Sequence, residues 1–339
     1  QTQVAWRLGR IGRLTGAAGV EGDRWHAINF STPAATGGGG GGGGSGVGPS
    51  GPLAALAAAA DTTRSDAELF RWRVALEYGV PILSSLELSA GVLHERQTGG
   101  GTEASGTGTS LGLAYRPTAR ITLRAAYGNR FRFPSVRQLF DPVAGAVGLL
   151  PERSEHGELG VEVTPTASVT VGVTGFVDEA RNFIDRPAPD DPFVNEDRYH
   201  FRGIEAVAAW RPAAGALARA GYSYLDSEDR SPGREGLPLE YRPRHKLTLE
   251  GRYAAAFGLE TAASLRYEAN QVAQSRIGPL RQIRLPDFAV VSGRASQWLP
   301  GRRIGLYVGV ENLFAAAYED AYGFPQAGRV LYAGVELGR

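Results

Sequence analysis

Arg302-Arg303-Ile304-Gly305-Leu306-Tyr307-Val308-Gly309-Val310-Glu311-Asn312 alternates throughout: Ile304, Leu306, Val308 and Val310 share one face, and Gly305, Tyr307, Gly309 and Glu311 share the other. A period of two residues means a strand with one apolar face. The pattern recurs up the chain. Phe70, Trp72, Val74, Leu76 and Tyr78 oppose Arg71, Arg73, Ala75, Glu77 and Gly79, and Leu159, Val161 and Val163 oppose Glu158, Gly160 and Glu162. Val169, Val171, Val173 and Val177 oppose Thr170, Gly172, Thr174 and Asp178; Leu247, Leu249 and Tyr253 oppose Lys246, Thr248, Glu250 and Arg252. No stretch carries a comparable stripe at 3.6 residues, so no helices are expected to cover a sheet.

Two kinds of connection separate these runs. Short turns are expected at Tyr78 to Pro81, Tyr115 to Pro117, Val163 to Pro165, Trp210 to Pro212, Tyr253 to Phe257 and Trp298 to Pro300, about 36 to 48 residues apart. Longer polar connections are expected at Asn129 to Arg153, Asp178 to Asp197, Asp226 to Tyr241 and Leu313 to Ala327. The repeat is therefore strand, long loop, strand, short turn, the layout of a transmembrane barrel with long loops outside.

A soluble sandwich would also alternate. Three features favour the membrane. The runs are about 10–14 residues long, against a mode of about 5–6 in globular proteins. Tyr78, Tyr115, Trp210, Tyr253 and Trp298 stand before the short turns, where an interfacial girdle would lie. The polar face repeats Glu, Arg and Gly, as a wet lumen would, and facing Lys246 or Arg252 to lipid would cost up to about 2–4 kcal/mol each near the midplane.

Composition narrows the chemistry. Thirty-six basic against 35 acidic residues leave a net charge of +1, so nothing points to nucleic acid. There is no cysteine, which excludes disulfides, thiolate metal sites and cysteine nucleophiles. His26, His94, His156, His200 and His245 lack metal-ligand spacing, and no Ser-His-Asp arrangement stands out; no catalytic or metal residues are assigned and no enzyme is expected. The Gly-rich stretch 31–53 lacks the phosphate-cradle spacing and reads as an external loop. The first residue is Gln1 and the chain holds no methionine and no visible signal peptide, so a mature or truncated piece is expected.

The C-terminal stretch is the most specific. Asn312-Leu313-Phe314, then Tyr318, then Gly323-Phe324-Pro325-Gln326-Ala327-Gly328-Arg329 resembles the last hairpin of the TonB-dependent outer-membrane receptors. Pro134-Ser135 to Leu139, Leu150-Pro151-Glu152-Arg153-Ser154 with Glu158-Leu159-Gly160, and Arg242-Pro243 with His245 are similar to further segments of that family, in order, across Tyr127 to Arg339. Ala327 replaces a frequent proline, and Arg339 stands where such barrels usually end in an aromatic residue.

The expectation is all-β: a transmembrane antiparallel barrel domain over residues 1–339, about 15 strands of a 22-stranded barrel, N-terminally incomplete and with the plug domain absent. The resemblance implies a monomeric outer-membrane importer in contact with lipid and lipopolysaccharide. It would be powered by TonB through parts outside this chain and would carry no cofactor. A ferric siderophore is the first ligand class it implies, cobalamin the next. A passive porin-like channel and an adhesion barrel stay open. Asn312, Leu313, Phe314, Tyr318, Gly323, Pro325, Gly328 and Arg329 read as architectural. Arg130, Phe131, Arg132, Phe133 and Arg137 combine cations and aromatics at a strand's outer end and are the candidate ligand contacts; bracing the loop is the alternative.

Overall fold

The computed structural model describes residues 2–31, 61–186, 191–275, 281–301 and 303–338. The stretch 32–53 of the Gly-rich loop lies outside them. Fifteen strands form one antiparallel meander in which each pairs with its neighbours along the chain. They are β1 (Thr2–Arg7), β2 (Arg13–Ser31), β3 (Asp61–Leu83), β4 (Leu86–Gly99) and β5 (Thr102–Thr118). Next come β6 (Ile121–Arg132), β7 (Glu152–Thr166), β8 (Val169–Asp185), β9 (Val194–Trp210) and β10 (Ala216–Asp229). The path closes with β11 (His245–Ala254), β12 (Leu259–Ala269), β13 (Phe288–Trp298), β14 (Ile304–Glu311) and β15 (Val330–Leu337). A two-residue strand, Leu237–Pro238, adds to β10 off this path. The sheet is open, with β1 and β15 at its ends. Among the described residues a short α-helix, α1 (Val136–Phe140), sits in a loop, and Gly9–Ile11 form a single 3-10 turn.

The strand count matches the pattern, but several boundaries move. Three expected turns are strand: β3 continues to Leu83, β5 to Thr118 and β7 to Thr166. Pro81, Pro117 and Pro165 instead lie at register shifts in the ladder, between Pro81/Leu83, Tyr115/Thr118 and Val163/Thr166. A bulge leaves the missing proline N–H without a ladder partner to lose, so the strand passes through it. At the other end, β8 runs on to Asp185 and β10 to Asp229, so the connections there shrink to 186–193 and 230–244. The fifteen strands of the meander consequently span 6 to 23 residues. The β4–β5 connection is no long loop: Gly100 (φ 54) and Gly101 (φ 79) make a two-residue hairpin turn whose positive φ angles suit glycine.

The two faces differ in kind. Leu159, Val308 and Val335 are 70%, 61% and 61% exposed on one face, together with Leu111, Leu123 and Ile204. Water would penalise such a wall; hydrocarbon would not. Tyr78, Tyr115, Trp210 and Tyr253 share this face near the short turns. Trp298 does not. It stands in register with Gly305, on the side of Arg294 and Ser296. The opposite face carries cross-strand ion pairs: Arg71–Glu95 at 3.2 Å, Arg124–Glu162 at 3.6 Å, Lys246–Glu268 at 3.3 Å and Arg294–Glu336. Buried apolar side chains gather at the long-loop end instead of mid-sheet, among them Leu69, Phe133, Leu139, Ile184, Tyr199 and Phe288.

Candidate functional site

The loop between β6 and β7 is built on the polar face at that end. Phe133 (4% exposed) and Pro134 pack down against β3 and β4, where the Gln97 amide donates to the Pro134 carbonyl at 3.1 Å. Arg71 donates to Gln97 at 2.8 Å and lies 5.8 Å from the Phe133 ring centre. Ser135 then opens α1 with a reciprocal capping box: its hydroxyl accepts from the Gln138 N–H at 3.3 Å, and the Gln138 amide oxygen accepts from the Ser135 N–H at 2.9 Å. Leu139 is buried, and the Phe140 ring lies over Gly100, so a side chain at Gly100 would strike it.

Asp141 ends the helix. Its carboxylate accepts from the N–H groups of Val143 (3.0 Å) and Ala144 (3.1 Å) and faces Arg137 at 3.4 Å. Burial pushes the Asp141 carboxyl up, but those backbone donors and Arg137 outweigh it and hold the group below its ordinary value. The Ala144 carbonyl accepts from the Phe193 N–H at 2.8 Å, and Asn195 clasps Leu150, so this loop and the β8–β9 loop form one cap. At the loop's base Arg132 makes a two-pronged pair with Glu152, whose carboxylate also accepts from the Ile184 N–H at 2.9 Å.

The five candidate ligand contacts therefore separate. Phe133 is buried packing, Arg132 is engaged by Glu152 and Arg137 by Asp141. Phe131 stands edge-on to Phe133 at 5.3 Å and covers Gly106. Arg130 is exposed, and no side-chain hydrogen bond or ion pair holds it among the described residues.

The last loop is tied separately. Asn312 (φ 49) gives two N–H bonds, to the Ala316 carbonyl at 2.9 Å and the Ala327 carbonyl at 3.1 Å, and accepts from the Ala316 N–H at 2.8 Å. The Leu313 N–H reaches the Val291 carbonyl at 2.8 Å, while Phe314 is 70% exposed. Gly323 (φ 80) and Pro325 belong to a small hairpin, Glu319–Ala321 with Phe324–Pro325; Gly328 and Arg329 lead exposed into β15. Tyr318 folds onto Phe288 at 4.5 Å.

Arg266 was not singled out from sequence. Its guanidinium sits 4.9 Å from Phe288 and 5.4 Å from Tyr318, and pairs with Asp320 at 3.0 Å and Glu268 at 3.6 Å. Register places Arg266 and Glu268 on the polar face opposite Thr248 and Lys246; their loop partners carry no signal in the local pattern. Beneath this loop a polar-face cavity of about 480 Å³ is lined by Glu250, Arg252, Arg294, Tyr318 and Tyr332. Among the described residues no three His, Asp or Glu side chains converge as a metal site. This arrangement is suited to holding a polar solute against arginine, tyrosine and phenylalanine.

Comparison with known proteins places these features. The family model described as "TonB dependent receptor-like, beta-barrel" matches residues 2–313. The vitamin B12 transporter BtuB of Vibrio cholerae is 23% identical over 233 residues, which are 68% of this chain and 37% of that protein. The siderophore receptor PirA of Acinetobacter baumannii superposes with a TM-score of 0.75 at 16% identity, over 98% of this chain and 53% of that one. The FrpB iron transporter of Neisseria meningitidis gives 0.72 at 17%, over 98% and 53%. This chain spans about half of those structures and 37% of the curated relative.

Proposed function

Because this chain belongs to the TonB-dependent receptor-like β-barrel family, we propose that it forms the wall of an outer-membrane receptor importing a scarce nutrient by TonB-dependent transport. The family is one of outer-membrane transporters and receptors, not enzymes. The observation that carries the reading is the one sheet with two incompatible faces: exposed Leu and Val on one side, paired ions on the other, with the loops capping one end. Such a sheet separates lipid from a wet lumen.

For the ligand we favour an anionic ferric chelate. Arg130 is the member of the candidate cluster left with its charge uncompensated, and Phe131 beside it offers a ring face. The iron and siderophore proteins among the similar structures agree with this. The vitamin B12 transporter relative supports cobalamin as the second reading. We assign the contact with TonB to sequence beyond these residues, since the relatives are longer.

The test is uptake by cells carrying the full-length receptor, with a panel of ferric siderophores and cobalamin, with and without TonB. Saturable uptake of one ferric chelate that vanishes without TonB is expected. Uptake that persists without TonB would make the protein a passive channel, and saturable cobalamin uptake alone would select the second ligand.

A further inference from the structure

At the long-loop end a second set of arginines meets around a cavity of about 220 Å³. It lies between the β10–β11 loop, residues 230–244, and the β12–β13 loop, residues 270–287. Leu225 and Ser227 of β10 supply one wall. They follow Ser223, which is in register with Lys246 on the polar face, at alternate positions, so the cavity belongs to the lumen side of the rim. Arg242, Arg244 and Arg284 line it with Asn270, and among the described residues no carboxylate does.

The loops set these side chains in place without a ligand. After β12 the chain makes a small hairpin, Val272–Ser275 with Arg281–Arg284, and Ala273 and Leu285 are buried beneath it. The Tyr241 N–H donates to the Val272 carbonyl at 2.8 Å and joins the two loops. Tyr241 and Asn270 both hold positive φ angles, 55° and 57°. For tyrosine that conformation is rare and costly, and it persists only where the surroundings over-determine it.

The charges do not cancel. Arg284 pairs with Asp287 at 3.3 Å, whose other oxygen accepts from the Asn270 N–H at 2.9 Å. Arg244 pairs with Asp226 at 2.8 Å, but that carboxylate also holds Arg202. Arg242 has no carboxylate partner among the described residues. Its guanidinium donates to the Glu240 carbonyl at 3.2 Å and lies 5.4 Å from the Phe201 ring centre. A carbonyl and a ring face hold a cation in place without neutralising it. Each guanidinium carries five N–H donors, so donors remain on all three.

We infer that this cavity is an oxyanion site. It takes a phosphate or carboxylate group of a soluble molecule, and the bound group ties loop 230–244 to the hairpin. Guanidinium forks match the paired oxygens of either group, which a spherical chloride ion does not offer. The site is separate from Arg130, because β6 and β10 lie four strand spacings apart, about 19 Å along the sheet. It holds whatever solute the protein imports.

The test uses the full-length receptor in detergent, titrated calorimetrically with inorganic phosphate and with citrate at constant ionic strength, and with sodium chloride as control. Saturable binding of phosphate or citrate is expected, with slowed amide exchange in residues 240–244 and 270–275. Arg242→Gln and Arg284→Gln should each weaken it about tenfold or more. Arg24→Gln, which removes the same charge from an exposed pair on β2, should leave it unchanged. Arg242→Lys keeps the charge, loses the fork and should bind less well than wild type. The Arg284 side chain is 65% exposed, so its replacement spares the buried side of the hairpin, and a heat-shifted band shows that each variant barrel has folded. An equal response to chloride, equal binding by wild type and both Gln variants, or an equal loss in Arg24→Gln would overturn the inference.

Discussion

Val308→Arg tests which solvent the exposed face meets, because water and lipid give opposite signs. Val308 lies on β14 and is 61% exposed, in register with Ala295 on β13 and Ala333 on β15. It stands four residues beyond Ile304, where the strand begins. That is about 13 Å along the strand and, at a tilt of about 40°, roughly 10 Å into an apolar band about 25 Å tall. In water an exposed Val→Arg change stays within about 0.5 kcal/mol. Near the midplane of a bilayer it costs about 2–4 kcal/mol, roughly thirty- to several-hundred-fold in the folding equilibrium. The assay is denaturant titration of the full-length receptor in lipid vesicles, following the heat-dependent shift in gel mobility. Glu250→Gln, on the polar face, is the control and should leave the midpoint nearly unchanged. A Val308→Arg protein as stable as wild type would refute the assignment of faces.

Other outcomes follow from the loop end. Glu152→Ala strands the Arg132 guanidinium and the Ile184 N–H together, so loop 133–151 should be cut by protease several-fold faster, consistent with losing a charge-assisted bond worth about 1.5–3 kcal/mol. Asn312→Ala removes three hydrogen bonds at a positive φ and should lower the melting temperature in detergent, whereas Asn312→Gly should restore only the backbone part. Arg130→Ala should weaken binding of a ferric chelate about tenfold with barrel abundance unchanged; unchanged binding across a siderophore panel returns the cluster to bracing. Asp141 is held below its ordinary value of 3.8, so its stabilisation of the loop is full above that value and is lost as pH falls through the lower folded one. Amide exchange in residues 141–146 should accelerate in that acid window, and Asp141→Asn should flatten the dependence. A cysteine at exposed Glu235 should react with an impermeant label on intact cells while one at Ala213 should not; Ser231, in the same loop, is buried and unsuitable.

The strands were legible because one face must be apolar for most of their length, and that constraint writes itself as a period of two. It fades beyond the apolar band. From Asp178 to Asp185 the apolar band has ended and Ala180 and Ile184 are buried under the loops on the other face, so the alternation of the lower strand is not continued and the end of β8 looked like loop. Proline misled in the other direction, since a bulge tolerates what a regular ladder would not. At the site, residue type was visible and commitment was not. Arg132 finds Glu152 twenty residues later, through a register that no local pattern encodes. Arg266 is caged by side chains from a strand and a loop far along the chain.

The unbroken meander has a consequence for how such a wall is made. Each strand in the path leans on the ones just before and after it, so nearly every backbone contact is settled between segments synthesised moments apart. Loop-closure cost grows only slowly with loop length, so even the longer connections add little, and each strand added presents a fresh edge for the next. The topology thus allows strands to be added in sequence, like courses of brick laid one upon another. A lengthened loop or a duplicated hairpin disturbs only the courses beside it, which lets the rim vary widely while the wall beneath keeps its pattern.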